Sequence, residues 1–308
     1  MTVRHFLDVT DLSLAELRDV LTLSVAAIDD LGHPLAGLGA ALIFEKPSNR
    51  TRQSMEMAVV QLGGHPIYTR GEEVGFDTRE TVEDVTQIMA GYHALLAARV
   101  FEHSVVVRMA AVSPVPVVNM LSNHSHPLQA LADVLTMIEE FGELDGRTIA
   151  YVGDFNNVAR SLAQACVMLG AHMRFGCPAD HDATEAELFE LNSLGPGTVS
   201  QSSDPMVAVA GADAVHTDTW TSMGQEVEKA ARMEIFGRYQ VTEALLGSAA
   251  HDAIFMHCLP AYRGLEVAAD VIDGSQSRVY RQGHNRMHAA RGLLAFLIGA
   301  NSNPAERS

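Results

Sequence analysis

Short apolar runs alternate with amphipathic segments along the first half of the chain, and this alternation limits the possible folds most strongly. Runs of about four to eight apolar residues are typical of buried strands, and apolar residues spaced three and four apart are typical of helices. We predict strands at 40–44, 65–69, 94–100 and 115–120, and helices at 12–31, 54–64, 78–92 and 126–141. This order predicts a parallel sheet flanked by helices.

The alternation stops in the polar, glycine-containing segment 142–148 and then restarts. In the second half we predict strands at 148–154, 172–177, 214–218 and 253–260, and helices at 156–170 and 285–299. Residues 206–211 should end a further helix. The pattern therefore predicts an α/β protein with two domains, each a parallel β-sheet flanked by helices. We place the domains at 1–141 and 142–284, and expect the final helix, about 285–308, to pack on the first domain.

The charge balance argues against two classes of partner. Twenty-one basic and 38 acidic residues give a net charge of −17, whereas nucleic acids and anionic membrane surfaces attract basic faces. The N-terminal residues lack the apolar core of a signal peptide, and no apolar run approaches the roughly 18 residues of a membrane span. The three cysteines lack metal-type spacing. We therefore expect a cytoplasmic protein with no metal, no nucleic-acid partner and no membrane segment.

The segment Ser48–Arg52, with the sequence SNRTR, lies on a predicted turn between a strand and a helix. A helix start offers free N–H groups and a positive dipole end, which suit a phosphate. The hydroxyl groups add donors, and arginine binds phosphate oxygens in a bidentate manner. An ordinary helix cap with solvated arginines is the alternative interpretation, and the segment alone does not decide between them.

A motif that contains histidine and two single arginines are further candidates for the site. His126–Gln129, with the sequence HPLQ, opens the long helix at 126–141, so His126 could polarise a carbonyl oxygen and Gln129 could bind an amide. Arg99 ends a predicted strand, and Arg286 lies at the start of the last helix. Each has a plain alternative, because lone histidines and arginines are common on protein surfaces.

Two further motifs follow predicted strands in the second half. Asp218–Gly224 could hold an amino group on its carboxylate and close as a lid, or could be an ordinary loop. In His257–Pro260, Cys258 could be a nucleophile or a small buried residue, and His257 should point to the opposite strand face. Gly153–Asn157 lacks the glycines of a dinucleotide fingerprint, and the sequence has no P-loop.

Taken in order, these motifs resemble the ornithine carbamoyltransferase family over nearly the whole chain. The family patterns S-T-R-T-R, H-P-x-Q, G-D-x-N-N, D-x-W-x-S-M-G, H-C-L-P and N-R are matched by Ser48–Arg52, His126–Gln129, Gly153–Asn157, Asp218–Gly224, His257–Pro260 and Asn285-Arg286. The resemblance implies transfer of the carbamoyl group of carbamoyl phosphate to the δ-amine of ornithine, giving citrulline and phosphate in arginine metabolism, without a cofactor. The family is usually a homotrimer, or a multiple of trimers, with sites at subunit interfaces.

The resemblance also implies residue roles. The carbamoyl phosphate site would comprise Ser48, Asn49, Arg50, Thr51, Glu73, Arg99, His126, Pro127, Leu128, Gln129, Cys258, Leu259 and Arg286. The catalytic residues among them would be Arg50, Arg99, His126 and Cys258. The ornithine site would comprise Asn157, Asp218, Ser222 and Met223.

Three positions depart from the family pattern. Asn49 stands where threonine is usual, and His284 replaces the usual glutamate before Asn285. Glu73 occupies the position of a glutamine that a neighbouring subunit usually donates, and a carboxylate near phosphate is unfavourable unless it is protonated or turned away. Two alternatives therefore stay open: the same chemistry on putrescine, acetylornithine or aspartate, and a non-catalytic relative that only binds carbamoyl phosphate or a partner.

Overall fold

The computed structural model describes residues 3–221 and 229–301. Contacts within the chain divide it into two compact units, the first comprising Met1–Ala132 with His284–Ser308 and the second comprising Asp133–Gly283. The first division falls within a helix, before the polar segment 142–148. The predicted boundary after residue 141 stays a prediction.

The first unit contains a parallel sheet of four strands in the order β2-β1-β3-β4. The strands are β1 (Gly39–Phe44), β2 (His65–Arg70), β3 (Leu95–Arg99) and β4 (Val117–Leu121). The helices that begin in this part of the chain are α1 (Leu14–Val25), α2 (Asn49–Gln61), α3 (Gly71–Val74), α4 (Val82–Ala90), α5 (His103–Val112) and α6 (Pro127–Phe141). Strands β3 and β4 are buried throughout, whereas the edge strand β2 is partly exposed.

The second unit contains a parallel sheet of five strands in the order β7-β6-β5-β8-β9. The strands are β5 (Thr148–Val152), β6 (His172–Gly176), β7 (Thr198–Ser202), β8 (Ala214–Thr217) and β9 (Ile254–His257). The remaining helices are α7 (Asn157–Met168), α8 (Glu185–Asn192), α9 (Pro205–Val209), α10 (Lys229–Phe236), α11 (Glu243–Leu246), α12 (Ala269–Ile272) and α13 (Val279–Asn301). Two parallel sheets flanked by helices confirm the predicted fold class.

Seven of these elements were not predicted: β7, α3, α5, α8, α10, α11 and α12. Three of them have a clear physical reason. Strand β7, with the sequence TVSQS, is a polar edge strand and has no apolar run. Helix α8 has the sequence EAELFELN, and only Leu191 of its residues is buried. Helix α5 begins after Glu102 without a side-chain cap, so the usual sequence signal for a helix start is missing.

The sheet orders explain where polar motifs can meet. In open parallel sheets, ligands bind beyond the carboxyl ends of the strands where the strand order reverses. In the first unit, the reversal lies between β1 and β3. Ser48 follows β1, and Arg99 is the last residue of β3. In the second unit, the reversal lies at β5 and β8, and Asp218 directly follows β8. Of the helices in the described residues, none has both the length and the apolar character needed to cross a bilayer.

Candidate functional site

Two buried arginines converge on one hydroxyl oxygen in the first unit. Thr51 Oγ1 accepts hydrogen bonds from Arg286 Nη2 at 2.6 Å and from Arg99 Nη1 at 3.3 Å. Thr51 Oγ1 also shares a hydrogen bond of 3.0 Å with Ser48 Oγ. Thr51, Arg99 and Arg286 are 1%, 8% and 6% exposed. We call Ser48, Thr51, Arg99 and Arg286 the Thr51 cluster; it concentrates positive charge in a chain whose net charge is −17.

The start of helix α2 adds further donors beside this cluster. Ser48 is the N-cap residue, and its Oγ accepts the Thr51 N–H at 3.4 Å. The N–H groups of Asn49 and Arg50 are the first two of the helix, where no preceding turn supplies an acceptor. Within the described residues, the buried Nε of Arg50 has no hydrogen-bond partner. A buried guanidinium N–H needs an acceptor, and an anionic oxygen is the strongest one available.

His126 precedes helix α6 and is 4% exposed. Burial, together with the positive charges of Arg286 and Arg99, holds the pKa of His126 well below its usual range. The imidazole is therefore neutral at neutral pH and can donate one N–H without carrying charge. Gln129, which is fully buried, lies one turn along and donates its backbone N–H to His126 O at 3.0 Å.

A buried amide fixes the loop that carries His126. Asn119 Nδ2 on β4 lies within hydrogen-bond distance of Ser122 Oγ at 3.3 Å, Ser125 Oγ at 3.0 Å and Leu7 O at 2.9 Å. Ser125 Oγ in turn donates to Leu7 O at 3.1 Å. The position of His126 thus depends on a network that reaches the N-terminal segment.

Two side chains and one backbone N–H donate hydrogen bonds to one carboxylate in the second unit. Asp218 Oδ2 accepts from Asn156 Nδ2 at 3.0 Å, and Asp218 Oδ1 accepts from Cys258 Sγ at 3.1 Å and from the Thr219 N–H at 2.8 Å. Asn156 is the N-cap of α7, and its Oδ1 also lies 3.3 Å from the Tyr151 hydroxyl. We call Asn156, Asp218 and Cys258 the Asp218 cluster.

The buried side chains of His257 and Glu266 hold the backbone that follows Cys258. His257 Nδ1 accepts the Leu259 N–H at 2.9 Å, and His257 Nε2 lies 3.2 Å from Glu266 Oε1. Leu259 has a positive φ of 56°, and this hydrogen bond helps to hold its left-handed conformation. His257 and Glu266 are both at least 99% buried.

Asp218, His257 and Cys258 also place three potential metal-ligand atoms within 4.8 Å of one another. Both ring nitrogens of His257 are already engaged, by Leu259 and Glu266, and the Cys258 thiol is hydrogen-bonded to Asp218. This arrangement is a satisfied hydrogen-bond network, in which the imidazole has no spare lone pair for a cation.

A polar contact lies beside the loop that follows Asp218. Arg232, which is 4% exposed, donates to Trp220 O and to the carboxylate of Asp154. Burial raises the pKa of Asp154 despite the nearby Arg232 and His181. The indole of Trp220 stacks on Phe236, with ring centroids 6.0 Å apart. These contacts fix the described start of the loop.

Comparison with known proteins assigns both halves of the chain to the same family. Residues 4–139 match the family model of the aspartate/ornithine carbamoyltransferase, carbamoyl-P binding domain, and residues 145–297 match that of the Asp/Orn binding domain. The chain belongs to the aspartate/ornithine carbamoyltransferase family.

Individual relatives in this family cover nearly all of the chain. The ornithine carbamoyltransferase of Parafrankia sp. (strain EAN1pec) is 42% identical over 307 residues, covering 97% of each chain. That of Acidothermus cellulolyticus is 43% identical over 304 residues, again covering 97% of each. The solved structure of ornithine carbamoyltransferase from Pyrococcus furiosus has a TM-score of 0.92 at 38% identity, covering 97% of this chain and 98% of that one.

The structure brings most of the residues that the family resemblance singled out into two groups. In the first unit, Ser48, Thr51, Arg99 and Arg286 form the Thr51 cluster, with Arg50 beside it at the start of α2. Pro127, Leu128 and Gln129 form the buried first turn of α6. In the second unit, Asp218 and Cys258 are hydrogen-bonded to each other, Leu259 follows Cys258, and Asn157 is the first residue of α7.

Other predicted residues lie elsewhere. Arg52 is exposed, pairs with Glu56 at 2.8 Å and stacks over Tyr68 at 3.9 Å, so it is separate from the other basic residue of its motif, Arg50. Glu73 lies on the exposed helix α3 and pairs with Arg70 at 2.8 Å; its contribution to a neighbouring site stays a prediction.

Five further positions complete this account. Asn49 and His284 are exposed. Ser222 and Met223, which the family resemblance assigns to ornithine, lie outside the described residues. Arg286 lies well inside α13, which begins at Val279, because the helix starts earlier than the predicted residue 285.

Sequence reasoning missed several residues that support the site. Asn156 stands within the G-D-x-N-N motif, so a signal was present, but only the cap geometry distinguishes it from Asn157. Asn119 and Glu266 follow no motif pattern. Their roles arise from contacts with residues distant in the chain, such as Leu7 for Asn119.

Proposed function

We propose that this chain is an ornithine carbamoyltransferase, which transfers the carbamoyl group of carbamoyl phosphate to the δ-amine of L-ornithine and yields L-citrulline and phosphate. Membership of the family supports this reaction class. The observation that carries the proposal is the convergence of Arg99 and Arg286 on Thr51, beside a buried Arg50 Nε that has no hydrogen-bond partner within the described residues.

The Thr51 cluster and the start of α2 would bind the phosphate group of carbamoyl phosphate. Backbone N–H groups at the helix start and three arginines supply charge-assisted donors for its oxygens. The carbamoyl group would contact Arg99, His126 and Gln129, together with Cys258 and Leu259. A neutral His126 supports this role, because it donates a hydrogen bond without repelling the buried arginines.

The Asp218 cluster would bind the amino acid. Asp218 is a half-buried carboxylate held by Asn156, Cys258 and the Thr219 N–H, and it would bind an amino group of ornithine. Asn157, Ser222 and Met223 would bind the rest of the amino acid. The S-M-G sequence at Ser222–Gly224 favours ornithine over aspartate as the acceptor.

The chemistry then requires no covalent enzyme intermediate and no cofactor. The neutral δ-amine attacks the carbamoyl carbon, the new C–N bond forms, the C–O bond to phosphate breaks, and the nitrogen loses a proton. Negative charge that develops on the carbonyl oxygen would be stabilised by Arg50, Arg99 and His126. Fixing both substrates in a reactive geometry can lower the barrier by about 7–11 kcal/mol.

We further propose that the protein is a homotrimer or a multiple of trimers, acts in the cytoplasm and serves arginine biosynthesis. The family resemblance supports the oligomer and the role in arginine metabolism, and the location follows the expectation drawn from the sequence. The exposed position of Glu73 fits a residue that a neighbouring subunit could receive, and its pairing with Arg70 offsets the carboxylate charge.

A side-by-side acceptor assay tests this proposal. Purified protein with carbamoyl phosphate should form citrulline from ornithine, and phosphate should appear in equal amount. Putrescine, acetylornithine and aspartate serve as control acceptors. Faster carbamoylation of any of these three would reassign the acceptor. Absence of phosphate release with all four acceptors would indicate a non-catalytic relative.

A further inference from the structure

A fully buried glutamine in the second unit contacts the two strands that lead to the Asp218 cluster. Gln282 is 0% exposed, and its side-chain oxygen accepts the backbone N–H of His257 at 2.8 Å. Its side-chain nitrogen donates to Asp133 Oδ1 at 2.7 Å and lies 3.1 Å from His216 Nε2. Asp133, His216 and His257 are also fully buried.

These contacts lie next to the residues that we assign to substrate. His257 directly precedes Cys258, and His216 lies two residues before Asp218 on β8. Strands β8 and β9 are neighbours, and their pairing ends at Thr217 opposite His257. Asp218 and Cys258 therefore lie just beyond the last paired residues, where the sheet ladder no longer fixes their separation.

We propose that Gln282 is a positioning residue that sets the alignment of Asp218 and Cys258 by joining the ends of β8 and β9. The proposal rests on the proposed function, because it takes Asp218 to bind ornithine and Cys258 to contact the carbamoyl group. The side-chain hydrogen bonds of Gln282 go to the backbone of His257, to Asp133 and to His216, so it acts on Asp218 and Cys258 through the strands that carry them.

The hydrogen-bonding capacity of the amide fixes its orientation. A backbone N–H can only donate, so the group that faces His257 must be the carbonyl oxygen of Gln282. Its NH₂ group then faces Asp133 and His216. With its proton on Nδ1, His216 accepts the second amide proton at Nε2, 3.1 Å away. In the other tautomer, Nε2 faces Asp133 Oδ2 at 3.4 Å. One amide group thus satisfies three buried partners, and no other side chain of this shape offers the same donors and acceptor.

The network also fixes the ends of the second unit. Asp133 is the first residue of the unit and Gln282 the last but one. The hydrogen bond between them joins the segments by which the chain enters and leaves the unit. Displacement of Gln282 therefore affects β8, β9 and Asp133 together, which a single surface contact would not do.

The test compares Gln282→Met with Gln276→Met. Methionine keeps the length of the side chain but removes its donors and acceptor. Gln276 is a matched control, because its Nε2 donates to Ala253 O at 2.7 Å just before the start of β9, at the end of the strand away from Cys258. We expect Gln282→Met to raise KM for ornithine and lower kcat, by about 10- to 100-fold in kcat/KM. KM for carbamoyl phosphate should change less than KM for ornithine, because the residues assigned to the phosphate group belong to the Thr51 cluster and the start of α2. Gln276→Met should resemble the wild type.

Thiol alkylation gives a second measurement that does not depend on turnover. Cys166 and Cys177 are buried, and Cys258 is the partly exposed cysteine. The rate of iodoacetamide labelling therefore reports on Cys258 and on its hydrogen bond to Asp218. Gln282→Met should change this rate, and Gln276→Met should not. Wild-type protein that forms no citrulline would overturn the proposed function, whereas the labelling comparison would still test the role of Gln282.

If Gln282→Met fails to fold, a further pair of variants exchanges the hydrogen-bond donor and acceptor between positions 282 and 133. Gln282→Glu retains an oxygen for His257 but sets two buried carboxylates against each other. Adding Asp133→Asn restores a donor and an acceptor between these positions. Recovery of ornithine KM and labelling rate in the double variant, relative to Gln282→Glu, would support the proposal. Wild-type kinetics and labelling in Gln282→Met, or no recovery in the double variant, would overturn it.

Discussion

Thr51 Oγ1 accepts a hydrogen bond of 2.6 Å from Arg286, although 235 positions separate the two residues in the chain. Arg99 donates to the same oxygen from the end of β3. The Thr51 hydroxyl therefore orients two buried guanidinium groups of like charge. Its position in the motif predicts that the hydroxyl donates a hydrogen bond to phosphate. The geometry adds a second role, as a hydrogen-bond acceptor that aligns the two arginines.

Thr51→Val tests this role, because valine keeps the shape of threonine and lacks the oxygen. Hydrogen bonds to charged groups contribute about 1.5–3 kcal/mol, so KM for carbamoyl phosphate should rise about 10- to 100-fold. Initial rates at saturating ornithine measure this change. Thr51→Ser, which keeps the oxygen, is the matched control and should remain close to the wild type. Equal KM values in the two variants would rule out an orienting role for the hydroxyl.

The two arginines of the SNRTR motif should differ sharply in importance. Arg50 lies beside the Thr51 cluster with a buried Nε, whereas Arg52 is exposed and is engaged by Glu56 and Tyr68. Loss of one donor to a developing oxyanion costs about 10²–10³ in kcat. We expect a loss of this size for Arg50→Ala and little change for Arg52→Ala, measured as citrulline formation. Similar losses in both variants would contradict the assignment.

The sequence predicts the architecture and the strand-end positions of several candidate site residues, because both depend on local patterns. Apolar runs identify the central strands, and parallel strands place the residues that follow them at one sheet edge. Ser48, Arg99 and Asp218 could therefore be assigned to strand ends before any contact was known. Strand β7 could not be found, since a polar edge strand lacks the pattern on which the prediction depends.

The supporting contacts could not be predicted, because they join residues far apart in the chain. Gln282 and His216 are 66 positions apart, and Asn119 and Leu7 are 112 apart. No local pattern indicates which buried amide meets which partner. The sequence also does not show whether Asn156 or Asn157 contacts Asp218. That depends on which of the two adjacent amides is the N-cap of α7.

Asn156 should contribute separately to helix stability and to the Asp218 cluster. Its Oδ1 accepts the N–H groups of Val158 and Ala159, and its Nδ2 donates to Asp218. Serine caps a helix about as well as asparagine, whereas alanine costs about 1 kcal/mol. We expect Asn156→Ser and Asn156→Ala to raise KM for ornithine alike, while only Asn156→Ala lowers the free energy of unfolding. Urea denaturation and steady-state kinetics distinguish the two effects, and wild-type ornithine binding by Asn156→Ser would exclude a role in holding Asp218.

His126 should make the stability of the protein depend on pH in a defined direction. Burial and the charges of Arg286 and Arg99 hold the pKa of His126 well below its usual value in the folded chain, whereas an unfolded chain restores a pKa near 6.5. Below about pH 6.5 the unfolded chain therefore binds a proton that the folded chain does not. This difference favours unfolding as the pH falls, and the stability contributed by neutral His126 is fully present only above that pH.

His126→Asn removes this titration and leaves the other histidines in place. We expect the free energy of unfolding of the wild type to fall relative to that of the variant as the pH drops from 7.5 to 5.5, by at most about 1.4 kcal/mol per pH unit. Urea denaturation of both proteins across this range measures the difference. Curves that stay parallel below pH 6.5 would mean that folded His126 takes up a proton as readily as the unfolded chain. In that case a charged imidazole would coexist with the nearby charges of Arg99 and Arg286, and the neutral donor assigned to the carbonyl oxygen would have to be another group.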